Sequence, residues 1–113
     1  MPRNEEMTPS EQRAARNEVA FREANERLGD KRQELDLQGE TPFLCECADP
    51  GCTQLIRLSL DEYEYVRSRA NWFLVATGHE TRNGATTEEH GPYEIVAKEG
   101  EAGRIAEEED PRR

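Results

Sequence analysis

The sequence predicts an α+β fold: a long N-terminal helix followed by a small antiparallel sheet with one helix, held together by a bound metal ion. Three observations lead to this prediction. A helix start signal lies near residue 8, apolar segments of strand length lie between residues 41 and 98, and three cysteines fall within eight residues. Together these features are typical of a small domain that a metal ion stabilises.

The composition allows one small domain. The chain of 113 residues has 25 acidic and 15 basic side chains and a formal net charge of -10. Leu, Ile, Val and Phe number only 18, which at this charge is typical of disorder, yet 12 of them fall within residues 41–98. We therefore expect a metal-stabilised α+β domain over 41–98, a flexible N-terminus over 1–8 and an acidic, disordered tail over 99–113.

The charge pattern limits the partners. Net charge is -3 over residues 1–40, -4 over 41–98 and -3 over 99–113, so no segment forms a basic arm for nucleic acid. An arginine group beside Trp72 would be the exception, although solvated arginines covering the core are the favoured interpretation; its members are Arg57, Arg67, Arg69 and Arg82. Because no apolar run reaches the ~20 residues of a membrane span and the N-terminus is unlike a signal peptide, we expect a cytoplasmic protein.

The first helix has a clear start. Thr8 is a predicted N-cap, Pro9 occupies the first helical position, and Glu11 completes a capping box, which predicts an amphipathic helix over 9–37. A narrow apolar face recurs every seven residues at Ala14, Phe21, Leu28 and Leu35. We expect this face to pack on the chain's own domain. Pairing with another chain as a short coiled coil is the alternative, which Asn17 and Lys31 in the same face weaken.

The central segment alternates short apolar runs with turn residues. The predicted elements are a strand over 43–48, a turn at 49–51, a strand over 53–59, a helix from a capping box at 59–62 to residue 70, a strand over 72–76, a polar loop over 81–91 and a strand over 93–98. These elements give one hairpin, one helix and two further strands.

The cysteines carry the strongest chemical signal. Cys45 and Cys47 lie two apart on a predicted strand and so share a face, and the turn brings Cys52 back toward them. A tetrahedral zinc site needs a fourth ligand from Cys or His. His79 directly follows an apolar strand and is the predicted fourth ligand; His90, in the polar loop, is the alternative.

Other interpretations of the cysteines remain open. A disulfide between Cys47 and Cys52 is conceivable but disfavoured in a reducing cytosol, free buried cysteines are the plain alternative, and iron could replace zinc. Four protein ligands leave no open position on the ion, which indicates a structural site. We therefore expect no enzyme activity, and deaminase, phosphate-loop, serine-nucleophile and kinase motifs are missing.

The combined pattern resembles a group of short acidic actinobacterial proteins of uncharacterised function. It covers about residues 17–98 and consists of Phe21-Arg22-Glu23-x-Asn25-Glu26-Arg27, Phe43-Leu44-Cys45-Glu46-Cys47, Cys52, Leu58-x-Leu60-x-Glu62-Tyr63-Glu64-x-Val66-Arg67, Phe73-Leu74-Val75 and Gly78-His79-Glu80. The resemblance implies a bacterial, cytosolic, metal-containing domain with Cys45, Cys47, Cys52 and His79 as ligands. It implies no activity.

Two functions follow from these features. The first is a non-enzymatic interaction or regulatory module, in which zinc fixes the domain and the first helix and the tail meet a partner protein. The alternative is a thiol-based redox or metal sensor that releases zinc when its thiolates are oxidised.

Overall fold

The chain folds as an α+β arrangement in a computed structural model that describes residues 8–79 and 83–112. Within those residues it contains three helices and five strands. They are α1 (Pro9–Glu34), β1 (Thr41–Leu44), β2 (Leu55–Leu58), α2 (Leu60–Val66), β3 (Trp72–Ala76), β4 (Gly84–Glu89), β5 (Tyr93–Lys98) and α3 (Gly100–Glu108). The predicted fold class, a long N-terminal helix followed by antiparallel strands, is confirmed.

Helix α1 begins where the sequence predicts. The Thr8 hydroxyl accepts a hydrogen bond from the Glu11 N–H at 3.1 Å, and the Glu11 carboxylate accepts one from the Thr8 N–H at 2.9 Å. The helix ends at Glu34, three residues before the predicted end. Asp36 adopts a left-handed φ of 55°, which stops the helical path there.

The buried face of α1 differs from the predicted apolar face. Leu35 is 54% exposed, whereas the buried residues are Ala14, Ala15, Glu18, Arg22, Asn25 and Glu26. The helix packs within its own chain as expected, against β1 and α3. It does so largely through polar and charged side chains, because each finds a partner in the elements beneath it.

The strands form two antiparallel sheets. β1 pairs with β2 from Thr41 opposite Leu58 to Leu44 opposite Leu55, which is the predicted hairpin in shorter form. The second sheet has the order β3-β5-β4. Strand β4 lies within the segment predicted to be a polar loop, so that prediction is wrong for residues 84–89. The side chains of β4 are mostly exposed and polar. Its sequence therefore lacks the alternation of apolar and polar residues by which a strand is recognised.

The core lies between the two sheets and α2. All five residues of β3 are buried, as its unbroken apolar run predicts. They meet β5 and the inward residues of the hairpin and α2, including Phe43, Ile56, Leu58, Tyr63 and Val66. Tyr63 stacks on Phe43 with ring centroids 4.3 Å apart. Cys45 and Cys47 belong to this core, and Cys52 packs against it.

The prediction of a disordered tail over 99–113 is wrong for the part of it that the structure describes. Helix α3 follows β5 directly and buries Ala102, Gly103 and Ala106. A Cβ at Gly103 would lie 2.8 Å from the Lys98 carbonyl oxygen, so glycine lets the helix approach the strand. The acidic composition of this segment led to the prediction of disorder, although a few small residues form a buried face on α3.

Ion pairs hold the residues that follow α3 against the rest of the chain. Arg67 is buried, donates to Glu26 at 2.7 Å and pairs with Asp110. Arg112 donates to Glu26 at 2.5 Å and to Glu64 at 2.9 Å. We refer to these five residues as the C-terminal ion-pair network. Because Arg67 belongs to it, Arg67 is not part of an exposed arginine group beside Trp72, which the sequence analysis considered as the less favoured alternative.

Three sequence predictions have simple outcomes. Residues 1–7 of the predicted flexible N-terminus lie outside the described residues, as do Glu80, Arg82 and Arg113. Arg69 does lie over the Trp72 ring, 5.5 Å from its centroid. In the described part of the chain, every helix is too short or too polar to cross a lipid bilayer.

Candidate metal centre

The cysteine segment crosses from one sheet to the other. Immediately after β1, the Cys45 N–H donates to the Gln54 carbonyl at 3.2 Å and so extends the hairpin by one residue. The next N–H, from Glu46, donates instead to the Leu74 carbonyl in β3 at 2.7 Å. Cys45 and Cys47 are both buried at this crossing. The backbone therefore holds both thiols at the junction of the two sheets.

The turn that follows returns the third thiol. The Asp49 side chain accepts from the Gly51 N–H at 2.9 Å, and the Cys52 N–H donates to the Asp49 carbonyl at 3.1 Å. Asp, Pro and Gly favour this turn because Asp caps it through its own side chain and Pro restricts its backbone. Cys52 is thereby brought back beside the other two cysteines, half-buried.

A second turn brings the imidazole. Gly78 follows β3 with a φ of 87°, a conformation that favours glycine, and the His79 N–H donates to the Ala76 carbonyl at 3.0 Å. The His79 Nδ1 then lies 3.5 Å from the Cys45 Sγ and 3.5 Å from the Cys52 Sγ. We refer to Cys45, Cys47, Cys52 and His79 as the Cys3His cluster.

The dimensions of the Cys3His cluster fit one small ion. Its four ligand atoms all lie within 4.8 Å of one another. A tetrahedral zinc ion, with bonds of about 2.3 Å to sulfur and about 2.0 Å to nitrogen, requires a nitrogen–sulfur separation of about 3.5 Å. Both measured separations equal that value. Because Nδ1 has one proton or one lone pair, two equal sulfur distances favour a shared centre over a single directed hydrogen bond.

Burial favours the neutral, protonated form of two of the three thiols. All three cysteines are free, so the disulfide considered between Cys47 and Cys52 is not formed in this structure. Burial raises the pKa of Cys45, against the hydrogen bond that its sulfur accepts from the Ala76 N–H at 3.2 Å, and burial also raises the pKa of Cys47. A bound cation would instead favour the thiolate form, because it would stabilise the negative sulfurs and displace their protons.

The other histidine lies in a different environment. The His90 Nε2 is 2.8 Å from a Glu88 carboxylate oxygen, and its ring stacks on Tyr93 with centroids 4.9 Å apart. Within the described residues, the group able to hold a metal includes His79 and not His90. The geometry therefore favours the first of the two predicted fourth ligands.

A buried carboxylate between the cysteines was missed by the sequence analysis. Glu46 is fully buried, and burial raises its pKa, against hydrogen bonds donated by Asn25, the Leu74 N–H and Tyr63. The sequence offers no signal for it, because the side chains that bond to it, Asn25 and Tyr63, lie 21 and 17 residues away along the chain.

One side of the Cys3His cluster adjoins an open cleft. Its volume is about 560 Å³, and α1 forms one wall through Arg13 and Asn17. The opposite wall includes Cys47, Asp49 and His79. Asn17 donates to the Ala48 carbonyl at 3.3 Å across this cleft. The cleft gives solutes a route to the ligand atoms.

Comparison with protein-family models, with curated proteins and with solved structures finds no match for this chain. Within the chain itself, four ligand atoms converge: two from the segment after β1 and one from each of the two turns. That convergence supports a group of residues able to hold one metal ion.

Proposed function

We propose that the chain is a small zinc protein in which the Cys3His cluster holds one structural zinc ion, and that it acts as a non-enzymatic interaction or regulatory module. The observation that carries this proposal is the pair of 3.5 Å separations from the His79 Nδ1 to two cysteine sulfurs, in a cluster no wider than 4.8 Å. Three thiolates and one imidazole suit zinc, which has no redox chemistry of its own and accepts a closed tetrahedral set.

A structural role follows from where the ion would bind. Cys45, Cys47 and Cys52 belong to the hairpin side of the molecule, whereas His79 follows β3 of the other sheet. An ion shared by them ties the two sheets at one end of a core that is small for independent stability. Four protein ligands leave no position for a substrate or a reactive water, so we propose no enzyme activity.

A protein is the partner that we propose. Among the residues that the structure describes, four large apolar side chains are exposed, Leu35, Leu37, Leu55 and Tyr65. With a net charge of -10 and Arg67 buried among carboxylates, the surface offers little to the phosphates of nucleic acid. Free thiols fit the reducing cytoplasm, which we propose as the compartment.

One observation favours a thiol-based redox sensor as the second candidate. Cys52 is half-buried, unlike Cys45 and Cys47, and the cleft lies beside the cluster. An oxidant that reaches the zinc-bound thiolates would expel the ion and loosen the turn, although full coordination protects them. Zinc release at micromolar peroxide that a thiol reverses would support the sensor, and inertness would support the structural role.

The proposed ligand set is tested with a matched pair of histidine variants. Zinc affinity is measured by competition with a chromophoric chelator for the wild type, His79→Ala and His90→Ala. We expect His79→Ala to bind zinc at least about tenfold more weakly, because it loses a direct ligand, and His90→Ala to match the wild type. Equal losses in the two variants would contradict the assignment of His79.

A further inference from the structure

A network of buried hydrogen bonds surrounds Glu46, the residue between the two buried cysteines. Its carboxylate accepts from the Tyr63 hydroxyl at 2.5 Å, the Asn25 amide at 2.9 Å and the Leu74 N–H at 2.9 Å. Its own N–H donates to the Leu74 carbonyl at 2.7 Å. Glu46 is thus joined to β3 through both its backbone and its side chain, and to α1 and α2 through its side chain alone.

Asn25 holds the residue on the other side of Cys45. Its side-chain oxygen accepts from the Leu44 N–H at 2.8 Å, and its amide nitrogen donates to the Leu44 carbonyl at 2.8 Å. These two bonds imitate those of a neighbouring strand. Since the same amide also reaches Glu46, one side chain of α1 fixes both neighbours of Cys45 in the sequence.

We infer that Asn25 and Glu46 are positioning residues of the metal centre, which hold the Cys45-Glu46-Cys47 backbone in the conformation that zinc requires. The inference rests on the proposed zinc function and adds a role for α1 in it. A ligand segment that is already ordered loses less conformational entropy when the ion binds, so its zinc affinity is higher. The Asn25 contacts to the ligand segment and occupancy of the site therefore favour each other.

A purely structural role for Asn25 makes a different prediction, and α1 itself supplies the comparison. Glu18 lies on the same buried face and pairs with Lys98 of β5 at 2.6 Å, with side-chain exposures of 3% and 1%. This pair is as buried as the Asn25 contacts, but it joins α1 to β5 and not to the ligand segment. Disturbing it weakens the docking of α1 without releasing the backbone around Cys45.

Two tyrosines of α2 give a second, milder comparison. Tyr63→Phe removes the hydroxyl that donates to Glu46 and keeps the ring that stacks on Phe43. Tyr65→Phe removes a hydroxyl that donates to Glu88, on β4. Both changes delete one oxygen from the same helix, and only the first touches the segment between the cysteines.

The experiment compares Asn25→Ala with Glu18→Gln, and Tyr63→Phe with Tyr65→Phe, in the full chain. Two quantities are measured: the zinc dissociation constant, by chelator competition, and the visible absorption spectrum of the Co(II)-substituted protein, which reports the geometry of the bound thiolates. We expect the zinc dissociation constant to rise about 10- to 100-fold for Asn25→Ala and about 3- to 10-fold for Tyr63→Phe, and both variants to change the Co(II) spectrum.

The control variants should behave differently. Glu18→Gln should lower the melting temperature, yet both Glu18→Gln and Tyr65→Phe should keep the wild-type Co(II) spectrum and a zinc dissociation constant within about threefold of the wild type. An equal loss of zinc affinity in Asn25→Ala and Glu18→Gln would overturn the inference. An unchanged zinc dissociation constant in Tyr63→Phe would also overturn it. The Tyr63→Phe result is decisive if Asn25→Ala does not fold. Failure of the wild type to bind zinc in the first titration would instead overturn the proposed function.

Discussion

Two regions of this molecule join distant parts of the chain, and they do so with opposite chemistry. The Cys3His cluster brings the hairpin side of the molecule and the end of β3 together through four ligand atoms that could hold a metal ion from solution. The C-terminal ion-pair network joins α1, α2 and the chain beyond α3, and it contains its own cations, Arg67 and Arg112. Under the proposed function the first junction depends on a bound zinc ion, whereas the second needs no added ion.

The two regions also differ in how their surroundings shift the pKa of a buried ionisable group. Burial lowers the pKa of Arg67, but the hydrogen bond and charge of Glu26 outweigh burial, so the pKa is raised and the guanidinium stays charged. Burial raises the pKa of Cys45, and the neighbouring thiols of Cys47 and Cys52 raise it further. The C-terminal ion-pair network pairs its buried charges with residues of the chain, whereas the Cys3His cluster would pair its thiolates with a bound ion.

Loss of zinc should have the largest effect. Cys47→Ser removes a ligand, and apparent zinc binding free energies of about 10–16 kcal/mol in small zinc domains exceed the stability of most domains. We expect Cys47→Ser to lack a cooperative thermal transition, and a chelator to abolish the transition of the wild type, as followed by circular dichroism. A melting temperature that the chelator leaves unchanged would contradict the comparison, and His90→Ala serves as the matched control.

Breaking the C-terminal ion-pair network should have the next largest effect. Arg67→Met leaves Glu26 and Asp110 without their buried partner, which should cost about 3–5 kcal/mol in the free energy of unfolding. Arg104 pairs with Glu101 and Glu108 on the surface of α3, where solvent screens the charges, so Arg104→Ala should cost far less than Arg67→Met. Urea unfolding of the zinc-loaded proteins measures both. Similar losses in the two variants would show that burial does not distinguish these pairs.

The smallest effect concerns pH, and it separates the two regions. Burial alone would raise the pKa of Glu26, but hydrogen bonds from Arg112 and Arg67 lower it below its ordinary value. A lowered pKa gives a stabilisation that is complete above the ordinary pKa of a glutamate and is lost only as the pH falls through the folded value. The difference in unfolding free energy between the wild type and Glu26→Gln should therefore stay constant between about pH 5 and 8.

That constancy is measured by urea unfolding of zinc-loaded protein at several pH values. A difference that shrinks as the pH falls from 8 to 5 would mean that burial wins and that the Glu26 pKa is raised. The chelator-sensitive part of the stability should fall over the same range, because protons compete with zinc for thiolate and imidazole.

The Cys3His cluster was predictable because its signal is local and chemically specific. Cys45, Cys47 and Cys52 lie within eight residues, and few residue types bind zinc in this way. The capping boxes at Thr8 and Ser59 were predictable for the same reason, since each involves atoms three residues apart. These features could be predicted from a single sequence because the residues involved are close together along the chain and of distinctive types.

The C-terminal ion-pair network was not predictable because its partners are distant and of common types. Arg67 lies 41 residues from Glu26 and 43 from Asp110, in a chain in which 35% of residues are charged. Periodicity of apolar residues gave the wrong face for α1, since Glu18, Arg22 and Asn25 are buried there by pairing. The same charges made α3 resemble a disordered tail.

The most direct test of the central claim is native mass spectrometry of protein purified without added metal. The Cys3His cluster predicts one zinc ion per chain in the wild type, with the ion lost in Cys47→Ser. A wild-type chain that carries no metal and still shows the narrow charge-state distribution of a folded protein would contradict the account, because the four converging ligand atoms would then be ordinary packing.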